Sequence, residues 1–199
     1  MKSFRNFFIL LTLVLGSIML TGLSSCSSTE ADANQKTSIP KSPERTIQEA
    51  AFMGDANLLQ AHIAASSDLN QKDDFGSTPL IIATTFGKTA VAKLLIEAGA
   101  DIDMVGADGG TPLHGAAFYC RTEIVEALLA KGADLTVRNT YGATALESVE
   151  APFELVKIAY HQISKDLGPL GFKLDYEYIK ATRPKVAEMI RRAEKQTSK

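Results

Sequence analysis

The sequence Gly-Gly-Thr-Pro-Leu-His-Gly-Ala-Ala at residues 109–117 decides the fold of this chain. Its two leading glycines suit a loop tip, Thr111 is a good helix N-cap, and Pro112 fits the first helical position, where its missing N–H is not needed. The signature stands earlier as Gly-Ser-Thr-Pro-Leu at 76–80 and later as Gly-Ala-Thr-Ala-Leu at 142–146, so that Thr78, Thr111 and Thr144 are evenly spaced. A fixed period in this range predicts a repeat architecture in which each unit packs on the next.

Each predicted unit contains two helices. One apolar position of the first helix recurs through four units, at Ile47, Leu80, Leu113 and Leu146. The second helices carry apolar residues at the i, i+3, i+4 spacing of one buried stripe, which are Ala92, Leu95 and Ile96, then Val125, Leu128 and Leu129. Gly99 and Gly132 follow these stripes and supply the left-handed conformation that ends a helix. The pattern therefore predicts four stacked helix-turn-helix units from about residue 44.

This pattern closely resembles the ankyrin repeat, which runs Asp-x-x-Gly-x-Thr-Pro-Leu-His-x-Ala-Ala, then Gly, then Val-x-x-Leu-Leu-x-x-Gly-Ala-Asp. The third unit matches best, although Gly106 replaces the leading Asp and Cys120 replaces the Gly between the helices. The first unit lacks Thr-Pro, as expected of a terminal repeat with one face to water. The resemblance covers about residues 44–150 and implies an all-α ankyrin-repeat solenoid, in which hairpin loops join the helix-turn-helix units.

The fourth unit departs from the pattern. Its second-helix stripe is matched best by Val186, Met189 and Ile190, which lie well beyond the place that the period assigns to them, so an insertion separates the two helices of this unit. Because Pro184 suits the first turn of a helix, we predict an ankyrin-repeat domain over 44–195 with the insertion at about 152–182. Within the insertion, 153–164 and 174–181 are predicted to be helical. The alternative is that Leu155, Ile158 and Ala159 supply the second helix and the remainder is an added cap.

The N-terminal segment, 1–25, is typical of an export signal. Lys2 and Arg5 precede an apolar run from Phe7 to Leu20 that is short for a membrane span. The sequence Leu-Ser-Ser-Cys at 23–26 resembles the lipobox of bacterial lipoproteins, in which the cysteine is lipidated and becomes the new N-terminus. The resemblance implies a signal peptide at 1–25 and lipid attachment at Cys26. The alternative is an uncleaved anchor helix.

The polar composition of residues 26–43 predicts a flexible tether between the membrane and the repeats. Ser27 follows the predicted lipidated cysteine. In lipoproteins of Gram-negative bacteria an Asp at this place is associated with retention in the inner membrane. The resemblance therefore implies the outer membrane, with the protein facing the periplasm.

The composition disfavours several other functions. A net charge of −2 argues against a nucleic-acid partner. The two cysteines and three scattered histidines give no metal-site spacing, so we expect no metal and no cofactor. Asp101 to Pro112 echoes a calcium loop but lacks its last glutamate, and Cys120 with His114 lacks an orienting acid. We therefore predict a protein with no catalytic residues, which is not an enzyme.

Aromatic residues stand where ankyrin proteins face a concave groove. The two positions after Ala-Ala are Phe52 and Met53, then Thr85 and Phe86, then Phe118 and Tyr119, and the loop tips carry Phe75, Asp108 and Tyr141. Aromatic side chains are frequent at interface hot spots. The resemblance therefore implies partner binding by a set of six: Phe75, Phe86, Asp108, Phe118, Tyr119 and Tyr141. The alternative is that some of them pack between repeats or against the insertion.

The sequence as a whole predicts a membrane-tethered ankyrin-repeat module that mediates protein–protein interaction in the bacterial cell envelope. The alternative is an accessory or regulatory subunit of an envelope enzyme, with the insertion forming part of a ligand site. The candidate groups there, which are His161, Asp166, Asp175 and Glu177, have no motif spacing. A passive spacer is a third possibility, and the aromatic stripe favours a binding module over it.

Overall fold

The computed structural model describes residues 43–197, in which every regular element is helical. It contains nine α-helices and a short 3₁₀ turn within this range. In chain order these are α1 (Ile47–Met53), α2 (Ala56–Ala64), α3 (Pro79–Thr85), α4 (Thr89–Glu97), α5 (Pro112–Phe118), α6 (Thr122–Ala130), α7 (Ala145–Glu150), α8 (Phe153–Leu167), the 3₁₀ turn (Gly168–Leu170) and α9 (Tyr176–Thr197). Across the described helices, none combines the length and the apolar character needed to cross a bilayer.

The helices stack in two layers with a period of one repeat. The first layer is α1, α3, α5 and α7, each packed on the next, and the second layer is α2, α4, α6 and α9. Alanines at the close contacts, such as Ala83 and Ala116, are fully buried and let the first helices approach each other. Ala92, Val125 and Val186 are buried at equivalent places in the second layer. The fold is the ankyrin-repeat solenoid that the sequence period predicts.

Threonine caps begin the first helices as the sequence predicts. The Thr78 hydroxyl accepts a hydrogen bond from the Ile81 N–H at 3.3 Å, and Thr144 does the same for Glu147 at 3.2 Å. At Thr111 the capping residue three positions later is His114. Its imidazole Nδ1 accepts a hydrogen bond from the Thr111 N–H at 3.2 Å. Each cap satisfies donors that the first helical turn leaves without a partner.

The last repeat is completed by α9, which packs on α6 and α7. Its Val186 and Ile190 are almost fully buried, whereas Leu155 and Ile158 of α8 are 72% and 77% exposed. α8 and the turn after it are therefore inserted between the two helices of the fourth repeat. The predicted helix at 153–164 is confirmed and extends to Leu167.

One predicted boundary is wrong. α9 begins at Tyr176, and Pro184 lies inside it rather than in its first turn. The predicted insertion end at 182 lies inside this helix. The separate helix predicted at 174–181 overlaps its first turns and is not a distinct element. An interior proline leaves the carbonyl of residue i−4 without its helical donor. That carbonyl belongs to Lys180, and because Lys180 and Pro184 are both exposed, solvent is available to hydrate it.

Candidate functional site

The aromatic cluster comprises the rings of Phe52, Phe86, Phe118 and Tyr119 together with Tyr160 and Phe172 of the insertion. Phe52 and Phe118 lie in the last turns of α1 and α5, and Phe86 and Tyr119 are the C-cap residues of α3 and α5. These first helices are short because a left-handed residue follows each one, namely Gly54, Gly87 and Cys120. The repeat period places the aromatic residues on the same side of successive repeats.

Ring pairs within this cluster pack edge to face, both between the first two repeats and within the third. The ring centroids of Phe52 and Phe86 are 4.7 Å apart with an interplanar angle of 77°. Phe118 and Tyr119 meet at 5.2 Å and 78°. This arrangement sets the positive edge of one ring against the negative face of the next and favours aromatic over aliphatic neighbours.

Phe172 of the insertion covers this face. Its ring centroid is 5.8 Å from that of Phe86 and 5.4 Å from that of Tyr119, again edge to face, and the residue is 4% exposed. The expectation of an open groove at Phe86, Phe118 and Tyr119 is therefore corrected, since the chain's own insertion fills it. The alternative left open by the sequence, packing against the insertion, describes these three residues.

Tyr160 fixes α8 to the third repeat. Its side chain is fully buried, its ring lies 4.4 Å from that of Phe118, and its hydroxyl donates to the Phe118 carbonyl at 2.6 Å. Burial raises the pKa of Tyr160 to about 12, so the phenol stays protonated and keeps donating. The contact also satisfies a carbonyl at the end of α5 that the helix leaves without a donor.

Arg183 of α9 locks Tyr160 and α7 together. Its Nη1 donates to the Tyr160 hydroxyl at 2.9 Å, while Nη2 donates to the carbonyls of Ser148 and Ala151 at 3.1 and 2.6 Å. Arg183 is 5% exposed. The two carbonyls belong to the C-terminal end of α7, where partial negative charge favours a cation. A buried charge is tolerated here because its hydrogen bonds replace those to water.

The other polar groups of the insertion hold local structure. His161 stacks on Tyr176 at 6.1 Å, and Asp166 accepts from Gln162 at 2.6 Å. Asp175 accepts from the Tyr178 N–H at 3.0 Å and begins α9. Among the side chains of residues 43–197, no group of three or more His, Cys, Asp and Glu is placed to hold a metal ion. The contacts of His161, Asp166 and Asp175 are each made to a different partner, and none of these contacts joins two of the candidate groups.

The predicted loop-tip residues lie on the hairpins between repeats. Asp108 Oδ1 accepts from the Gly110 N–H at 2.9 Å, and the Asp108 carbonyl accepts from the Thr140 N–H of the next hairpin at 2.9 Å. Phe75 is half-buried, and Tyr141 is 62% exposed. Asp108 takes over a loop role that Asp73 plays in the second repeat, where Asp73 Oδ1 accepts from Phe75 and Ser77. This explains how the third repeat tolerates Gly106 at the usual aspartate position.

Cys120 has a structural environment. It is almost fully buried, adopts a left-handed φ of 54°, and its thiol faces the Ile179 carbonyl at 3.6 Å. Burial raises the pKa of the thiol to about 11, which leaves it in the unreactive protonated form. Cys26, the predicted lipid attachment residue, lies outside the described residues.

Phe172, Tyr160 and Arg183 are the residues of this face that the predicted site set lacks. Tyr160 shares a helical face with Phe153 and Val156, which is a signal of burial but not of its partner. Phe172 follows a Gly-Pro-Leu-Gly turn and belongs to no repeat period. The sequence pattern therefore carries no signal that joins Phe172 to Phe86 and Tyr119.

Comparisons with known proteins identify the repeated part of the chain. A family model described as ankyrin repeats in three copies matches residues 47–139. The 60 kDa lysophospholipase of Mus musculus is 36% identical over 84 residues, which is 42% of this chain and 14% of that protein. The likeness to this relative is thus confined to a small part of its length.

A solved structure gives the same fold. It is the crystal structure of the ankyrin repeat domain of Bcl-3, described as a unique member of the IkappaB protein family. The TM-score is 0.50 at 24% identity, with 51% of this chain and 45% of that chain covered. Ankyrin repeats typically form scaffolds for protein–protein interaction. Residues 47–139 of this chain are ankyrin repeats.

Proposed function

We propose that this chain is a membrane-tethered ankyrin-repeat module that binds a protein partner in the bacterial cell envelope. The observation that carries the proposal is the row of aromatic rings at the ends of three successive first helices, at Phe52, Phe86 and Phe118 with Tyr119. Tyr and Trp above all, and aromatic residues in general, are enriched at interfaces. The rings lie on the side of the solenoid where repeat proteins present their extended binding surfaces. In the described part of the chain, Phe86, Phe118 and Tyr119 pack against the insertion there, and the Phe52 end of the row does not.

The outer end of this row is open to a partner. Met53, beside Phe52 at the end of α1, is 41% exposed, and Phe52 itself is partly buried under Phe86. Methionine adapts its shape to a partner because it has three rotatable bonds and a polarizable sulfur. The first repeat therefore provides a contact surface even while Phe172 covers Phe86 of the second repeat and Tyr119 of the third.

The membrane part of the proposal rests on the N-terminal sequence. The apolar run from Phe7 to Leu20 and the Leu-Ser-Ser-Cys sequence ending at Cys26 support export and lipid attachment. Ser27 supports placement in the outer membrane, facing the periplasm. A Cys26→Ser chain should stay unprocessed and should take up no radioactive fatty acid. Labelling equal to that of the unmodified chain would contradict the lipid anchor.

Binding at the concave side is tested by photocrosslinking in cells. A photoreactive amino acid in place of Met53 should give a discrete crosslinked protein. The matched control places the same amino acid at Glu97, an exposed residue at the end of α4 in the other helical layer. A discrete product from Met53 with none from Glu97 supports the proposal. Crosslinking from Glu97 alone, or from neither position, would contradict binding at this side.

A further inference from the structure

Residues 168–174 form a segment that lies on the aromatic cluster and is held there by apolar packing. Phe172 sits between the rings of Phe86 and Tyr119, at 5.8 and 5.4 Å. Leu174 is half-buried and also packs against the core. We call residues 168–174 the cover segment.

The hydrogen bonds of the cover segment do not reach the repeats. The Gly171 N–H donates to the Gly168 carbonyl at 2.9 Å, and the Phe172 N–H donates to the Leu167 carbonyl at 3.2 Å. Among the contacts of residues 43–197, no hydrogen bond joins residues 168–174 to α1 through α7. Lifting the segment therefore breaks ring contacts but leaves no buried hydrogen-bonding group unpaired.

The two ends of the cover segment are fixed far more firmly. On one side, Tyr160 is tied to the third repeat through its hydroxyl and to α9 through Arg183. On the other side, Tyr176 donates to the Ser164 hydroxyl at 3.0 Å, which joins the start of α9 to α8. The middle of the segment can thus move while both ends stay in place.

Two glycines of the cover segment, Gly168 and Gly171, precede Phe172. Gly171 has a left-handed φ of 83°, and a Cβ built on either Gly168 or Gly171 would meet nothing within 4 Å. Open space around flexible backbone is what a hinge needs.

We propose, on the basis of the proposed function, that Phe172 is an internal ligand of the concave face and that the protein partner displaces it with an aromatic side chain of its own. Phe86 and Tyr119 both meet the phenyl ring edge to face, at 84° and 76°. That geometry favours a flat ring over a branched aliphatic group of similar volume. The expected partner segment therefore presents a Phe, Tyr or Trp from a short turn or an extended stretch, as Gly171 and Phe172 do.

If the partner displaces Phe172, its apparent affinity depends on how often Phe172 leaves the rings of Phe86 and Tyr119. A ligand that binds only the open protein is weakened by the fraction of molecules that are open. The variant Phe172→Ala removes the internal ligand while leaving Phe86 and Tyr119 in place. The matched control is Leu170→Ala in the same segment, since Leu170 is 40% exposed.

The probe is a fluorescent peptide with the sequence of residues 167–176, called the Phe peptide. A control peptide, called the Ala peptide, carries alanine at the position of Phe172. Binding is measured by fluorescence anisotropy on the full chain in detergent micelles, after circular dichroism has shown that each variant keeps its helices. The Phe172→Ala chain should bind the Phe peptide about tenfold or more tightly than the unmodified chain does. It should bind the Ala peptide about 30-fold more weakly than the Phe peptide. Leu170→Ala should behave as the unmodified chain.

Equal binding of the Phe peptide by the unmodified and Phe172→Ala chains would overturn the proposal. So would loss of helical structure in Phe172→Ala, because a displaceable cover is not what holds the repeats together. Partner crosslinking at Met53 separates the two ideas. A crosslinked partner together with equal binding of the Phe and Ala peptides would support the proposed function and contradict the internal-ligand role of Phe172. Preferential binding of the Phe peptide without any crosslinked partner would support the internal-ligand role and contradict the proposed function.

Discussion

Replacing Arg183 with alanine removes the buried cation that joins the insertion to the last repeat. The change leaves three acceptors without their donor: the Tyr160 hydroxyl and the carbonyls of Ser148 and Ala151. Hydrogen bonds to a charged group each contribute about 1.5–3 kcal/mol to stability. Part of this is offset because the guanidinium no longer has to leave water. We expect a net loss of about 3 kcal/mol in the free energy of unfolding, at the lower end for a broken buried network.

Arg191→Ala is the matched control for this measurement. Arg191 lies two helical turns further along α9 and also contacts α7, through an ion pair with Glu150 at 2.5 Å. Its side chain is 49% exposed, and exposed pairs contribute about 0–1 kcal/mol. The two variants therefore remove the same side chain from the same helix and differ chiefly in burial.

Urea titration followed by circular dichroism measures both losses, and thermal melting provides a second scale. For a chain of this size a loss of about 3 kcal/mol lowers Tm by roughly 6–12 °C. Arg183→Ala should show this shift and Arg191→Ala should stay within about 1 kcal/mol of the unmodified chain. A loss at Arg183 no larger than that at Arg191 would refute the conclusion that Arg183 fastens the insertion.

Three further predictions concern the repeats. Burial lowers the pKa of His114, so the free energy of unfolding should be highest above pH 6.5 and decrease as the pH falls below that value. In urea titrations at pH 7.5 and pH 5, His114→Gln should show a smaller decrease than the unmodified chain. Gly109→Ala should cost more stability than Gly132→Ala: both have positive φ, but a Cβ at Gly109 would lie 3.1 Å from the backbone nitrogen of Thr140, whereas a Cβ at Gly132 would meet nothing within 4 Å. Val186→Ala should cost about 1–3 kcal/mol and Leu155→Ala almost nothing, because Val186 is fully buried and Leu155 is 72% exposed; equal losses would show that α8 belongs to the core.

The repeats could be predicted from the sequence because their packing is local. Each ankyrin unit touches only its neighbours, so one buried position recurs at one interval, as Leu80 and Leu113 do. The repeat period also locates the two positions of the third repeat that differ from the ankyrin pattern. Cys120 lies where the pattern has Gly, and Gly106 lies where it has Asp. In the structure Asp108 compensates locally for Gly106, whereas the Cys120 thiol faces the Ile179 carbonyl of α9, 59 residues later in the chain.

The insertion could not be predicted in the same way because its contacts are not periodic. Phe172 meets Phe86 although the two are far apart in the chain. Arg183 lies on the buried face of α9 with Ile179 and Val186, although arginine is a residue type that is usually exposed. The predicted start of α9 is wrong because proline prefers the first turn of a helix but is not confined to it. A solvent-facing proline inside a helix is tolerated when buried residues on the opposite face keep the helix packed on its neighbours. Arg183 and Val186 are two such buried residues.

Phe172 covers the aromatic cluster of its own chain. Proton NMR of a chain with selectively labelled phenylalanine and tyrosine rings tests this contact most directly. We expect nuclear Overhauser contacts from the Phe172 ring to the rings of Phe86 and Tyr119, with Phe172 resonances shifted by both neighbours. A Phe172 ring with the chemical shifts of an unstructured peptide, and without contacts to either residue, would contradict the claim.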